Sequence, residues 1–254
     1  AVTMSCGLAK QGMLPVVAVY STFLQRAYDM LIHDAAMGNL HVVFAVDRAG
    51  LVGADGATHH GAFDPCYLRT VPHMKVFSPA STEELRKTLH YAVYQTEGPA
   101  AVRYPRGGNG CYRDCILEDT ILRKGDDVTI VSYGPMICEA VDAARILAQQ
   151  GIEAEIVKLW QLAPLDLNLV EESVRKTGRL LVLEECVSSG CLGQESAARL
   201  AQSGELHPRI RLLNLGEEFV THGSVPQLHS LLGLDGKSVA NTAKELIGFE
   251  ERTT

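Results

Sequence analysis

The chain has 254 residues, of which 46% are hydrophobic and 21% charged, and its formal net charge is −7. This composition is that of a globular protein with one large or two modest domains, and the acidic balance argues against nucleic-acid or anionic-membrane binding as the main role. No apolar run approaches the roughly 20 residues that span a bilayer, and the start AVTMSCGLAK lacks the features of a secretory signal. Seven cysteines without a repeated CxxC favour reduced thiols, so we expect a soluble intracellular protein.

Strands and helices alternate along the first half of the chain. Three β-rich apolar strings predict buried strands: PVVAVYS, HVVFAVD and AAVRYPRGG. Between them, apolar residues recur at helical spacing over residues 24–35, and STEELRKTLHYAVYQ predicts a second helix with Ser81 or Thr82 as its N-cap. Strands joined by helices indicate parallel pairing with right-handed crossovers.

Residues 107–124 break this rhythm with glycines, mixed charges and little periodicity. After them a second series of strands is predicted at VTIVSYG, EAEIVKLW, RLLVLEE and RIRLLNLG, with helices over about 136–149, around 170–176 and near 194–201. We therefore predict an α/β protein with two doubly wound domains and mainly parallel sheets. The predicted segments are a first domain, a linker and a second domain, at residues 1–110, 111–124 and 125–254.

Unusual side chains follow three strands of the predicted first sheet, and ligands of open α/β sheets bind outside the carboxyl ends of the strands. Tyr20, Phe23 and Arg26 follow the first strand; Asp47, Arg48, Asp55, His59 and His60 follow the second; Arg103 and Arg106 lie in and just after the last. The second group opens a long loop, GLVGADGATHHGAFD, which is rich in glycine and ionisable residues. Loops of this length are usually functional or disordered. Convergence from three loops favours a binding site.

Arginines at two strand ends suggest an anion site, because guanidinium groups match phosphate or carboxylate geometry. The alternative for Arg48 and Arg106 is pairing with a neighbouring acid such as Asp47. Asp55 and His59, four residues apart, suit orientation and protonation of a substrate, whereas a solvent-facing histidine is the alternative.

Other residues leave more than one interpretation open. Tyr20 and Phe23 suit stacking on a planar ligand, or simply core packing. Glu184 and Glu185 follow a strand and suit either a pair with split pKa values or a helix-capping or subunit-contact role. No metal-ligand cluster is apparent, and GxGxxG, Walker A and GxSxG motifs are absent from the sequence.

Several strings resemble the 1-deoxy-D-xylulose-5-phosphate synthase family of the transketolase superfamily. They are YSTFLQRAYD, DRAGLVGADGATHHGAFD, GPAAVRYPRG, FVTHGSV and LLGLDGKSVA. They occur in family order across nearly the whole chain. The resemblance implies a pyrimidine-binding domain followed by a transketolase C-terminal domain, thiamine diphosphate and magnesium as cofactors, and a homodimer. It also implies condensation of pyruvate with glyceraldehyde 3-phosphate to 1-deoxy-D-xylulose 5-phosphate and carbon dioxide, a precursor of isoprenoids, thiamine and pyridoxal.

The resemblance also implies roles for individual residues. Arg48 and Arg106, helped by Tyr20, would bind the phosphate of glyceraldehyde 3-phosphate. Asp55 and His59 would contact the acceptor and the cofactor-bound intermediate. The resemblance further implies that the cofactor's aminopyrimidine stacks on Phe23, with Arg26 beside that pocket. His60 stands where the family often has glutamine, and we assign it no role.

Two family features have no counterpart in this sequence. One is the GDG...N motif that holds magnesium and the cofactor diphosphate, and the other is a glutamate that stands just before the equivalent of Ala1. We therefore expect a piece that lacks the N-terminal diphosphate-binding domain and is inactive alone. EECVSSGCLG also departs from the family's glycine-rich version. The alternatives are the C-terminal component of a split transketolase-type enzyme, or a non-catalytic oligomerisation or regulatory module. A bacterial cytoplasm is the expected location, with a plastid as the alternative.

Overall fold

The computed structural model describes residues 1–107 and 110–248. Both predicted domains extend into residues outside that range, namely 108–109 and 249–254. The strands are Val16–Tyr20 (β1), Val43–Asp47 (β2), Lys75–Phe77 (β3), Ala100–Arg103 (β4), Thr120–Arg123 (β5), Val128–Tyr133 (β6), Ala154–Leu159 (β7), Gln161–Ala163 (β8), Arg179–Leu183 (β9) and Arg209–Leu213 (β10).

Helices alternate with these strands. They are Val2–Lys10 (α1), Ser21–Leu24 (α2), Tyr28–Met30 (α3), Asp64–Leu68 (α4), Thr82–Tyr94 (α5), Ile137–Ala148 (α6), Asn168–Thr177 (α7), Leu192–Ser203 (α8), Val225–Leu232 (α9) and Gly236–Ile247 (α10). A 3-10 turn separates α2 from α3, and a π-helical segment, Leu31–Ala36, follows α3. None of the helices in the described part of the chain combines the length and the apolar character of a membrane span.

Two five-stranded sheets organise the molecule, and the predicted α/β class with two mainly parallel sheets is confirmed. The first sheet has the order β1-β2-β4-β3-β8 and the second β10-β9-β6-β7-β5. Neighbours pair in parallel except at β3/β8 and β5/β7. The central strands are buried throughout, including all six residues of β6 and all four of β4, because helices cover both faces.

Two strands lie where the sequence pattern did not predict them. β8 follows β7 along the chain, yet it closes the edge of the first sheet beside β3. β5 lies inside the segment predicted as a linker, and this half-buried strand pairs with β7. A run this short between charged residues carries little periodicity, so only its long-range partner reveals it as a strand.

The last two helices were also absent from the sequence prediction, although their starts carry recognisable signals. Ser224 and Gln227 form a capping box at α9, with Pro226 in the first turn. The Asp235 side chain accepts a hydrogen bond from the backbone N–H of Ser238 at the start of α10. α10 then packs on α6, where its apolar face completes the core of the second sheet.

Candidate active site

The carboxyl ends of β1, β2 and β4 lie side by side and place the predicted site residues at one edge of the first sheet. The register aligns Tyr20 of β1 with Asp47 of β2, and Val46 of β2 with Arg103 of β4. The backbone N–H of Ala49 donates to the carbonyl oxygen of Tyr104 at 2.9 Å. The segments that follow β2 and β4 therefore leave the sheet together.

A continuous run of stacked rings and cations connects the residues after β1 with those after β2. The Arg48 guanidinium lies 4.0 Å from the ring centroid of Tyr20. The rings of Tyr20 and Phe23 are stacked, with centroids 5.5 Å apart. Phe23 then makes an edge-to-face contact with His59, with ring centroids 5.7 Å apart, and the Arg26 guanidinium lies 5.9 Å from the Phe23 ring centroid. Such contacts contribute about 0.5–1 kcal/mol each at exposed sites and set ring orientation.

Arg48 has a backbone conformation that is uncommon for a residue with a side chain. Its φ is +57°, in the left-handed region, which costs on the order of 1–3 kcal/mol for a residue other than glycine. The Asp47 carboxylate holds the turn, because it accepts a 2.7 Å hydrogen bond from the Arg48 backbone N–H and pairs with the guanidinium. The turn directs the guanidinium over Tyr20.

Both strand-end arginines line one cavity of about 380 Å³. Asp47 and Tyr104 form part of its wall, and the residues that precede and begin α5 form another part. The N-terminal end of that helix carries partial positive charge, which adds to the two guanidinium groups. The sequence prediction gave Ser81 or Thr82 a role only as an N-cap and gave Pro79 and Ala80 none, although all four follow β3 at the same sheet edge.

Each of these arginines also has a carboxylate partner, as the alternative interpretation predicts. Arg48 pairs with Asp47, and Arg106 Nη1 lies 2.9 Å from Asp55 Oδ2. The side chains of Arg106 and Asp55 are half exposed, so this pair is weak and easily exchanged for a stronger anion. Neither partner removes the arginines from the cavity.

The glycine-rich loop is closed by a short bridge and packed against the second half of the chain. Gly50 and Gly61 exchange two backbone hydrogen bonds of 2.9 and 2.7 Å. Gly50 has a φ of +77°, and a side chain there would collide with the carboxylate of Glu185. A side chain at Gly61 would collide with the carbonyl oxygen of Arg48. The loop can approach both groups only because these two positions are glycines.

The adjacent histidines of the loop differ in environment. His60 is buried; its Nδ1 accepts from the Val52 N–H at 3.1 Å, and its Nε2 lies 3.0 Å from the Thr221 carbonyl oxygen. That pattern requires a neutral ring protonated at Nε2, which anchors the loop. His59 is half buried, and its Nδ1 lies 2.9 Å from Thr58 Oγ1. Only His59 faces the aromatic run.

An apolar cavity of about 240 Å³ lies on the other side of Phe23. Its walls come from α1, β1 and the helical run after β1, including Val17, Val19 and Met30. Phe23 itself is 44% exposed, which is unusual for a phenylalanine beside an apolar cavity and suits stacking on a flat ring. Among the residues described, no group of three or more histidine, cysteine or acidic side chains could hold a metal ion.

The paired glutamates after β9 have separate roles. Glu184 is buried and accepts hydrogen bonds from the backbone N–H groups of Gly193 (2.8 Å) and Leu192 (3.2 Å) at the start of α8. This is the helix-capping alternative. Glu185 instead contacts His229, whose Nε2 is 2.7 Å from Glu185 Oε1.

His229 lies between two carboxylates. Its Nδ1 is 3.4 Å from Glu139 Oε1, opposite the contact with Glu185. Burial by itself would lower the pKa of His229, but the hydrogen bonds to Glu139 and Glu185 outweigh it and raise the pKa to about 9. The ring is therefore doubly protonated at neutral pH, and its partner Glu185 abuts Gly50 of the site loop.

This histidine should make stability depend on pH. Because its folded pKa is raised above the unfolded value, its contribution is fully present below about pH 6.5 and is lost as the pH rises through about 9. We expect urea denaturation to show that the free energy of unfolding falls as the pH rises from 6 to 10. The fall should be smaller in His229→Gln than in the parent chain. Exposed His33, whose Nδ1 lies 2.9 Å from an Asp29 carboxylate oxygen, provides the control His33→Gln. Equal falls in all three proteins would contradict this.

Two family models match the chain. The transketolase pyrimidine binding domain matches residues 1–109, and the transketolase C-terminal domain matches residues 119–239. A solved structure titled "Split gene transketolase, inactive beta4 tetramer" superposes with a TM-score of 0.84 at 30% identity. The superposition covers 98% of this chain and 82% of that one.

Curated relatives extend well beyond the matched region. The chain is 44% identical over 252 residues to the 1-deoxy-D-xylulose-5-phosphate synthase of Chlorobium luteolum, which covers 96% of this chain and 40% of the relative. It is 46% identical over 256 residues to the protein of the same name from Magnetococcus marinus, with coverage of 98% and 41%. The chain thus spans about 40% of the length of these relatives.

Proposed function

Because this chain belongs to the transketolase family, we propose that it is part of a thiamine-diphosphate-dependent synthase of the 1-deoxy-D-xylulose 5-phosphate type. Such an enzyme condenses pyruvate with glyceraldehyde 3-phosphate and releases carbon dioxide, and its product is a precursor of isoprenoids, thiamine and pyridoxal. The observation that carries the proposal is the cavity shared by Arg48 and Arg106, beside the ring of Tyr20. Similarity to curated synthases over nearly the whole chain supports it.

In this proposal the two arginines and Tyr20 bind the phosphate of the acceptor. A phosphate dianion carries more charge than a carboxylate, so it competes well with Asp47 and Asp55 for the guanidinium groups. Stacking on the Tyr20 ring holds the Arg48 guanidinium in one orientation before the ligand binds. Less rotamer entropy is therefore lost on binding. Local positive charge of this kind explains how an acidic chain recruits an anionic substrate.

Asp55 and His59 would act on the reacting end of the acceptor. Thr58 orients the His59 ring through Nδ1, so Nε2 is the atom that would exchange a proton with the acceptor's carbonyl oxygen. Asp55 loses its partner when Arg106 turns to the phosphate, and its carboxylate then becomes an acceptor for substrate hydroxyl groups.

Phe23 and Arg26 would hold the aminopyrimidine ring of thiamine diphosphate. The half-exposed ring of Phe23 and the apolar cavity behind it fit a flat heterocycle. When bound, the cofactor supplies the carbanion chemistry, and the protein supplies orientation and electrostatics. Magnesium and the diphosphate would be held by a domain outside this chain. We also propose a homodimer acting in a bacterial cytoplasm, with a plastid as the alternative.

A second candidate is the C-terminal component of a split transketolase-type enzyme. It is favoured by the similarity to a structure whose title names a split-gene transketolase. A non-catalytic oligomerisation or regulatory module is the remaining alternative, and it predicts no use for the arginine cavity.

Calorimetric titration of this chain with glyceraldehyde 3-phosphate tests the proposal. We expect saturable binding of glyceraldehyde 3-phosphate and no binding of glyceraldehyde at the same concentrations, because the charge-assisted contacts go to the phosphate. Inorganic phosphate should compete. Equal binding of the two aldehydes, or none of either, would remove the support for an acceptor site.

The chain alone should not catalyse the reaction. In an assay with pyruvate, glyceraldehyde 3-phosphate, thiamine diphosphate and magnesium, we expect no product above background. Adding a diphosphate-binding domain, from a longer version of the chain or as a separate protein, should restore product formation. Robust turnover by the chain alone would contradict this part of the proposal.

A further inference from the structure

Directly beneath the site, a fully buried ion pair links β4 to the end of the glycine-rich loop. Arg103 Nε donates to Asp64 Oδ2 at 2.7 Å, and the side chains are 2% and 0% exposed. Arg103 is the last residue of β4, and Asp64 is the first of α4. Neither residue lines the 380 Å³ cavity, so the pair does not belong to the proposed phosphate site.

The second oxygen of Asp64 reaches the segment that carries the stacked aromatic residues. Ser21 Oγ donates to Asp64 Oδ1 at 2.8 Å, and Ser21 lies between Tyr20 and Phe23 in sequence. Its neighbour Thr22 donates from Oγ1 to the carbonyl oxygen of Thr58 at 2.9 Å. These two bonds join the start of α2 to both ends of the loop segment that carries His59.

On its other side, the ion pair contacts the second half of the chain. The Arg103 guanidinium lies 5.5 Å from the ring centroid of Tyr133, and the Tyr133 hydroxyl donates to Glu184 Oε2 at 3.0 Å. Glu184 in turn caps α8. Burial is the main reason that the pKa of Tyr133 is raised, so the hydroxyl stays protonated and donates to Glu184. A continuous series of contacts therefore runs from α8 to Ser21.

Stability alone does not account for this arrangement. A buried ion pair contributes little compared with well-packed apolar side chains, because its desolvation offsets the attraction. Within the described structure, Arg103 Nη2 is buried and has no hydrogen-bond partner, so the pair is not optimised for stability. What the pair does supply is a defined orientation of the Asp64 carboxylate, because hydrogen bonds have preferred lengths and angles.

We propose that Asp64, oriented by Arg103, is a positioning residue that fixes the Tyr20–Phe23 segment through Ser21. Tyr133 connects this ion pair to the second half of the chain, so that contacts there also influence the position of the segment. The inference rests on the proposed function to the extent that the positioned side chains, including His59, are those assigned to acceptor and cofactor. The geometry itself can be tested without either ligand.

Ser21→Ala is the principal variant, because it cuts the link and leaves the buried ion pair intact. The readout is the ¹³C-resolved NMR signal of the His59 ring protons, whose shift reports the edge-to-face contact with Phe23. We expect this signal to move towards the value of an exposed histidine, and amide exchange of residues 20–27 to accelerate on the order of tenfold. The matched control is Thr88→Ala, which removes a buried hydroxyl that accepts from Trp160 Nε1 and does not line the cavity.

Tyr133→Phe tests the extension to the second half. It should shift the same His59 signal in the same direction. Tyr112→Phe should not, since the buried Tyr112 ring lies against Lys158 and not against Arg103. If Ser21→Ala leaves both the His59 signal and the exchange rates unchanged, the proposal is wrong. If the unaltered chain does not bind glyceraldehyde 3-phosphate, only the proposed function fails. That outcome is therefore distinguishable from failure of the positioning role.

Discussion

Replacing Arg48 or Arg106 with alanine is expected to weaken glyceraldehyde 3-phosphate binding by about 1.5–3 kcal/mol, the usual contribution of a hydrogen bond to a charged group. Both guanidinium groups line the same cavity, and each would contact the same phosphate. Because they share a ligand, the effects should not be additive in the double variant. In a complete enzyme the loss should appear as a higher KM for the acceptor, with kcat measured alongside.

Arg175→Ala is the matched control for these variants. Like Arg106, it has an exposed side chain paired with an acid, here Glu205 at 3.2 Å, but it lies on α7 and does not line the cavity. We expect Arg175→Ala to bind the acceptor like the parent chain. Unchanged affinity in both cavity variants would favour the non-catalytic module.

Replacing Lys158 with methionine is expected to lower the free energy of unfolding by about 3–5 kcal/mol, because it leaves a buried carboxylate without its counter-charge. Lys158 Nζ lies 2.8 Å from Glu84 Oε1, and the two side chains are 1% and 0% exposed. Glu84 also accepts hydrogen bonds from the backbone N–H groups of Ala80 and Ile116. The pair therefore joins β7, the start of α5 and the segment between the sheets.

Urea denaturation with two further variants separates this effect from simple loss of a lysine. Lys87→Met removes an exposed lysine 4.0 Å from Glu83 on the same helix and should cost no more than about 1 kcal/mol. The double variant Lys158→Met with Glu84→Gln should recover much of the loss, since no charge is then left buried and unpaired. Similar costs for Lys158→Met and Lys87→Met would show that the burial of the pair does not matter.

Much of the site could be predicted because it depends on local pattern and one topological rule. Apolar runs predicted the strands, and parallel pairing brings their carboxyl ends to one edge, so Tyr20, Arg48 and Arg106 were expected to lie close together. The structure brings Arg48 and Arg106 to one cavity and places Tyr20 under the Arg48 guanidinium. The loop glycines were identified, but the partners that require them, such as Glu185 at Gly50, were not.

The remainder depends on partners far apart in the chain. Arg103 lies in a strand, and nothing local indicates that it turns inwards to Asp64, 39 residues earlier. Glu184 and Glu185 are adjacent, yet Glu184 caps α8 and Glu185 pairs with His229, 44 residues later. Such pairings are long-range, and the local pattern of the sequence does not indicate them.

A crystal structure of this chain with glyceraldehyde 3-phosphate would test the acceptor site most directly. We expect the phosphate to occupy the cavity within hydrogen-bond distance of both Arg48 and Arg106, with the Arg106 contact to Asp55 broken and Tyr20 beside the ligand. A phosphate bound elsewhere, or a cavity in which both arginines keep only their carboxylate partners at saturating ligand, would contradict the proposed function.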